Sequence, residues 1–536
     1  MTESALLISL FTIPALAAVA EYARGKQHPG SAGRFAILGA AISFGLAIAI
    51  AGRVLHGGRL MILHGQLYAD GLAGLMALVV SLVGLVTTVY AYPYLRHEVA
   101  EGKVPVERLP IYFVLTSIFI STMTAVTVTN NIIMMYVLVE ATTLASALLV
   151  TYYGLPESLE AGYKYLLLCS VGIIVGLLGC VVFYSAAVPF LGGSRAMLIS
   201  EIATVAGRFP PAVSLVGGAL VIIGFGSKAG FVPFHAWLPD AHSQSPSPMS
   251  ALLSGVTIKV AVFAVARIAS IAFPAHDILK TYCVVLGAVT MLVGIFCAFA
   301  QTDLKRMLAY SSVSQMGYII MGLGVASYLG YYGAIYHLFN HALDKAMLFL
   351  CTGVMLYSCD TTDIRKLGQR KHSRVLAVCF FIGAFAISGL PPLNGFWSKF
   401  TIYVAAAQAR LWWAFGIALF TSLLTLAVLV RAGYMIFLQQ EHGGAEHQAV
   451  AAASALAFAA GAGASFAAAT KAPSGVQASP RSTDAAPGSK ALPDAKSCPP
   501  AIMAVIVVMT LLIVISGLNL NVMNRLIDLA ARALLH

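Results

Sequence analysis

The chain has 536 residues, 59% of them hydrophobic and only 10% charged, with a formal net charge of +11. Ordinary soluble domains carry about one quarter charged residues, so the composition excludes a soluble enzyme and predicts an all-α polytopic membrane protein. The positive balance reflects loops that face anionic lipid, and nothing in it points to nucleic acid.

Apolar runs of about 20 residues, enough to cross a hydrocarbon core as a helix, are predicted at 4–20, 35–52, 71–91, 111–129, 131–153, 164–187, 213–232, 250–273, 282–300, 307–324, 332–357, 376–405, 411–437 and 501–518. That gives about 14 transmembrane helices. Only Glu3 is charged ahead of the first run and no clean cleavage site follows it, so it reads as a retained span rather than a signal peptide. The loops after odd-numbered spans hold eighteen Lys and Arg, against eight on the other side. The positive-inside rule then places both termini outside the cytoplasm of a cell inner (plasma) membrane.

The expected organisation is three N-terminal helices in 1–110, helices 4–8 in 111–273, helices 9–13 in 282–437, a linker over 441–500 and a last helix in 501–536. The linker is rich in Ala, Gly, Ser and Pro. Its first half is apolar, but a fifteenth span there would reverse the final helix, so a cytoplasmic linker or surface helix is expected.

Two spans carry internal punctuation. In the seventh, KAGFVPFHAWLP places Pro233 and Pro239 after Lys228; in the twelfth, SGLPPLNGFWSKF places Gly389, Pro391, Pro392 and Gly395 before Lys399. Both helices should break in mid-membrane and free backbone groups that need a polar cavity. Broken helices five spans apart are what two inverted five-helix repeats would produce.

Glu140, Lys228, Lys259, Lys345 and Lys399 all fall inside predicted spans. A charge at the bilayer centre costs about 2.5–3.5 kcal/mol on insertion scales, so five of them require pairing or water. Snorkelling would explain a lysine near a helix end; it explains mid-span groups poorly. Glu140 is the expected partner of Lys228, and opening such a pair would change the proton affinity of the amine. His337, His341 and Lys345 recur four apart and therefore share one helix face. Histidine passes protons near neutral pH, so Glu140, Lys228, Lys259, His337, His341, Lys345 and Lys399 form a candidate proton relay. A metal site on the two histidines lacks a third ligand, because Asp344 lies about 100° off their stripe.

Ser227, Ser254, Thr257, Ser311, Ser312, Ser314 and Gln315 are placed to hold water near this relay. His235, Asp240, His242, Asp303, Lys305 and Arg306 fit a solvated loop equally well. The eight cysteines include no CxxC pair, and no dinucleotide fingerprint, Walker motif or HExxH occurs. No cofactor is expected in this chain, and any redox or nucleotide energy must come from partners.

VEATTLASALLV, GFGSKAGFVPFHAWLPDAHSQSPSPMSALLSG, DLKRMLAYSSVSQMGY, HLFNHALDKAMLFL and SGLPPLNGFWSKF resemble the antiporter-like membrane subunits of respiratory complex I, Mrp cation/proton antiporters and group 4 membrane-bound nickel-iron hydrogenases. The likeness spans roughly residues 60–440 and is greatest to hydrogenase-4 component F, with the D-type Mrp subunit close behind. The resemblance implies fourteen helices, two inverted five-helix repeats, broken helices 7 and 12, and one proton channel. It also implies functional roles for Glu140, Lys228, Lys259, His337, His341, Lys345 and Lys399. One branch of the family has Glu at the last of these positions, and the 441–500 segment has no counterpart in the resemblance.

The expected function is therefore proton translocation within a multisubunit membrane complex, coupled to a group 4 hydrogenase or related redox arm whose soluble subunits carry iron–sulfur clusters. The rival expectations are an Mrp-type Na⁺/H⁺ antiporter subunit, a proton-driven membrane subunit of an inorganic-carbon uptake complex, and a passive anchor with paired charges.

Overall fold

In hydrocarbon a backbone must satisfy its own hydrogen bonds, and this chain does so almost entirely as helix. The computed structural model describes residues 2–439, 498–518 and 521–535. The longer elements are α1 (Glu3–Gln27), α2 (Arg34–Leu55), a hairpin of β1 (Leu60–Ile62) and β2 (Leu67–Ala69), α3 (Gly71–Ala100), α4 (Arg108–Val128), α5 (Ile132–Val150) and α6 (Pro156–Leu191). They continue with α7 (Pro211–Ala229), α8 (Trp237–Gln244), α9 (Ser247–Ala269), α10 (Asp277–Phe299), α11 (Leu304–Gly324) and α12 (Tyr328–Cys359). The last are α13 (Arg374–Ser388), α14 (Asn394–Gln408), α15 (Trp412–Leu438), α16 (Pro500–Gly517) and α17 (Asn521–Arg532).

Among the described residues, 12 helices are long and apolar enough to cross a membrane, with α7 and α8 counted as one. Two predicted spans fall outside that number for physical reasons. α11 has 21 residues but carries Lys305, Arg306, Ser311, Ser312, Ser314 and Gln315. The twelfth span is divided into α13 and α14, each of 15 residues. The expected 441–500 linker lies outside the described residues apart from 498–500.

The most apolar window of α9 is 100% buried and that of α12 is 89% buried, whereas the windows of α1, α2, α6 and α16 are at most 39% buried. α9 and α12 therefore form the interior axis, and the other four face outward. α6 and α7 approach through glycine: a Cβ on Gly224 would lie 2.2 Å from the backbone nitrogen of Gly176. Such small-residue seams let membrane helices gain contact without a hydrophobic driving force.

Both expected breaks are present. α7 stops where Gly230 takes φ 79°, a left-handed turn that glycine adopts without steric cost. α13 stops in the same way at Gly389, with φ 82°. A cis X-Pro peptide follows each, at Val232–Pro233 and Pro391–Pro392. The freed groups find side-chain partners: Trp237 Nε1 donates to Ser227 O at 3.0 Å, Val232 N to Thr290 Oγ1 at 3.3 Å, and Ser422 Oγ to Ser388 O at 2.7 Å.

At its N-terminus α3 is capped by Asp70, which accepts from Ala73 N at 3.0 Å. The same carboxylate takes both terminal nitrogens of Arg267, one of them at 2.6 Å, and so ties α3 to the end of α9. Burial pushes the Asp70 carboxyl upward, but the Arg267 charge and the hydrogen bonds outweigh it and hold the group below its usual range.

Candidate functional site

Lys228 sits in the last turn of α7 and is 1% exposed. The helix dipole favours a cation at that end. Its ammonium donates to Val139 O at 2.7 Å, Thr142 Oγ1 at 2.5 Å and Thr143 Oγ1 at 2.7 Å, all on α5. Three donors thus meet three neutral acceptors. The expected direct pair with Glu140 is absent, because one residue of helix turns the side chain about 100° away from the face that holds Val139, Thr142 and Thr143. Glu140 instead accepts from Ser170 Oγ of α6 at 2.5 Å, and its second oxygen is buried without a hydrogen-bond partner. It remains within electrostatic reach of Lys228.

Lys259 follows a π-helical turn at Leu253–Thr257 inside α9. Such bulges realign side chains and free backbone carbonyls. The Lys259 ammonium donates to the carbonyl of Ser254, five residues earlier. The hydroxyl of Ser254 meets that of Ser312 on α11 at 2.8 Å, and Ser312 donates to Leu308 O at 3.0 Å. Lys345 of α12 donates to that same carbonyl at 2.9 Å and also to Ser311 Oγ. Since the Ser312 hydroxyl is spent on Leu308, Ser254 is the donor between the two serines. A continuous polar track therefore joins Lys259 to Lys345 across α9, α11 and α12. Its carbonyls only accept hydrogen bonds, and its hydroxyls both donate and accept.

His337 is held at both ring nitrogens, Nε2 at 3.1 Å from Gln315 Oε1 and Nδ1 at 3.1 Å from Ser398 Oγ. The Gln315 carbonyl can only accept, which fixes a proton on Nε2. Ser398 also lies 3.1 Å from Gly395 O. Its hydroxyl donates to Nδ1 when the ring is neutral, or turns to Gly395 and accepts from Nδ1 when the ring is protonated. The pocket thus accommodates both states. His341, one turn on, is fully buried with no protein partner at either nitrogen. Lys399 donates to Ser422 Oγ at 3.1 Å and lies 4.5 Å from the centroid of the Tyr318 ring.

The predicted residues divide into two groups. Lys259, His337, His341, Lys345 and Lys399 share the interior around α9, α11, α12 and α14, whereas Glu140 and Lys228 lie at the α5, α6 and α7 junction. No hydrogen bond among the described residues joins Lys228 to Lys259. Two residues assigned to a solvated loop are buried instead: Lys305 donates to Ser245 O at 2.8 Å, and His242 stacks on Phe349 with both ring nitrogens unpartnered. Asp240 fits the surface reading, with Arg306 at 2.7 Å and Lys164 at 3.4 Å. Sequence reasoning also missed Asp344, which is 1% exposed and accepts from Asn394 Nδ2 at 3.2 Å. A buried acid beside Lys345 was a visible signal, but it was weighed only as a metal ligand.

Residues 129–425 match the family described as NADH:quinone oxidoreductase/Mrp antiporter, transmembrane. The chain is 32% identical over 349 residues to a hydrogenase-4 component F homolog of Methylacidiphilum infernorum, covering 64% of this chain and 72% of the relative. It is 30% identical over 380 residues to the D-type Na⁺/H⁺ antiporter subunit of Alkalihalophilus pseudofirmus, covering 70% and 74%. A chain in the solved Mrp complex of Dietzia sp. DQ12-45-1b has the same fold, with a TM-score of 0.76 at 23% identity over 100% of this chain and 98% of that one. All the predicted relay residues fall inside the matched segment.

Proposed function

Since the chain belongs to the NADH:quinone oxidoreductase/Mrp antiporter transmembrane family, we propose that it translocates protons as an antiporter-like subunit of a larger membrane complex coupled to a group 4 hydrogenase or related redox arm. The observation that carries this reading is the buried track from Lys259 through Ser254 and Ser312 to Lys345. Buried amines with neutral acceptors are poor structural cement, since each charged form pays desolvation without an ion pair. They suit a group that gains and loses a proton in turn.

In this reading the fold comprises fourteen spans, with helices 4–8 (111–273) and 9–13 (282–437) as inverted repeats flanked by 1–110 and 501–536, and 441–500 as a cytoplasmic linker. Both termini lie outside the cytoplasm of the inner membrane. Lys228 takes up the proton, Glu140 tunes its affinity through space, and Lys259, Lys345, His341, His337 and Lys399 carry it onward. Iron–sulfur clusters and other redox centres belong to partner subunits.

The test is to isolate the native complex, identify what co-purifies, and compare wild type with Lys228→Ala for proton movement in vesicles. Co-purification of a hydrogenase arm and an assembled but non-pumping variant support the reading. Full pumping by the assembled variant refutes the role of Lys228. The likeness to a Na⁺/H⁺ antiporter subunit favours a second reading, in which the same residues exchange protons for Na⁺. Sodium-dependent proton movement without a redox partner would select it.

A further inference from the structure

Lys259, Lys345 and Lys399 are each fully buried, and the hydrogen bonds they donate go to neutral oxygens only. Asp344 is within electrostatic reach of all three. Three potential cations therefore surround one potential anion in an interior that tolerates little net charge.

The orientation of Asp344 is built rather than incidental. It accepts from Asn394, the first residue of α14 after the break. Asn394 is itself fixed: its Oδ1 accepts from Gly395 N at 2.8 Å, and its carbonyl accepts from Asn340 Nδ2 at 2.8 Å. Its amide donor is thereby turned toward the carboxylate. The other acids on helices packed against α12 are engaged elsewhere. Glu98 of α3 accepts from Tyr153 at 2.7 Å and faces Lys305 and Lys103, and Asp528 of α17 accepts from Tyr328 and Arg532. From α9 Asp344 faces Lys259, from its own helix Lys345, and from α14 Lys399; His337 and His341 face the same lysines.

We infer that Asp344 is the shared counter-ion of the second half of the relay, a carboxylate that, when ionised, holds one mobile proton among Lys259, Lys345 and Lys399. Its role is to position and limit charge rather than to bond the proton itself. With the carboxylate ionised, one protonated lysine leaves the cluster neutral and a second does not. The proton then moves by exchange between the amines, and the next proton enters only when the first has left. The inference rests on the proton-translocating reading above.

The test uses the native complex in vesicles, with proton movement recorded against pH for wild type, Asp344→Asn and Asp344→Glu. Losing the negative charge lowers the proton affinity of the lysines. The rate of Asp344→Asn should therefore fall at least tenfold at neutral pH, and the alkaline limb of its profile should move at least one unit toward acid, with Asp344→Glu close to wild type. A profile unmoved in an assembled Asp344→Asn complex overturns the inference. If Asp344→Asn fails to assemble, the double variant Asp344→Asn/Lys345→Met decides: recovered assembly shows that uncompensated charge was the fault, and continued failure shows a packing role and overturns it. A wild-type complex that moves no proton refutes the functional reading itself, a result distinct from either.

Discussion

The ammonium of Lys345 and the hydroxyl of Ser312 donate to one carbonyl oxygen, that of Leu308, at 2.9 and 3.0 Å. A carbonyl has two lone pairs, so it serves both donors at once. Through this shared acceptor α12 is coupled to the serine pair that reaches α9. Ser312→Ala should leave Ser254 without its acceptor, at a cost of about 1–3 kcal/mol for a buried unsatisfied group. Proton movement in vesicles should fall about tenfold, the equivalent of about 1.4 kcal/mol, with subunit composition intact. An unchanged rate would remove the serines from the path.

His337 depends on a hydroxyl that both donates and accepts. Ser398→Ala keeps the Gln315 contact but removes the group facing Nδ1, so both ring states lose a partner there, and the protonated ring loses more because an unsatisfied charged donor costs more than a neutral acceptor. Slower translocation at low pH, with little change at high pH, is the expected outcome of a pH–rate comparison with wild type. Equal slowing at every pH would indicate a packing defect.

The Asp70–Arg267 pair is structural, and its pH dependence has a definite sign. A carboxyl held below its unfolded value contributes stability that is present above about pH 4 and is lost as pH falls through the folded value. Asp70→Asn leaves Arg267 buried without its anion, a change that costs about 3–5 kcal/mol in buried pairs. Its thermal midpoint in detergent should lie well below wild type at pH 7, and the gap should close in acid. A gap of equal size at pH 3 would show that the lost ion pair is not its cause, since Asn keeps the capping acceptor.

At the α6–α7 seam, Gly224→Val puts a side chain where even a Cβ would lie 2.2 Å from Gly176 N. Overpacking of this kind costs about 1–3 kcal/mol or more. It should also move Lys228 off Thr142 and Thr143. Lower yield of the assembled complex, together with lost translocation in what assembles, is the expected result; normal yield and transport would show that the seam yields freely.

How much of this was legible in the sequence differs by level. Apolar length located the 12 helices long and apolar enough to cross a membrane, and Gly and Pro located both breaks, because these are local properties of the chain. Lys259, Lys345 and the two histidines were legible as candidate site residues because a charged or polar group in hydrocarbon is costly wherever it sits. Their connections were not. Ser254 reaches Ser312 only after a π-helical turn and a tertiary contact, 58 residues apart in sequence, and no periodicity reports either. Glu140 was matched to Lys228 by sign and depth, whereas the amine is satisfied by the adjacent threonines. Asp344 was judged by its angle to the histidine stripe, and that angle turns it toward Asn394.

The most direct measurement is formation of a proton gradient by vesicles holding the native complex with Lys345→Met, its subunit composition checked by mass spectrometry. A relay through the buried lysines requires a rate at least about a hundredfold below wild type, the usual scale for removing a proton-transfer group. A fully assembled Lys345→Met complex that builds the gradient at the wild-type rate would contradict it.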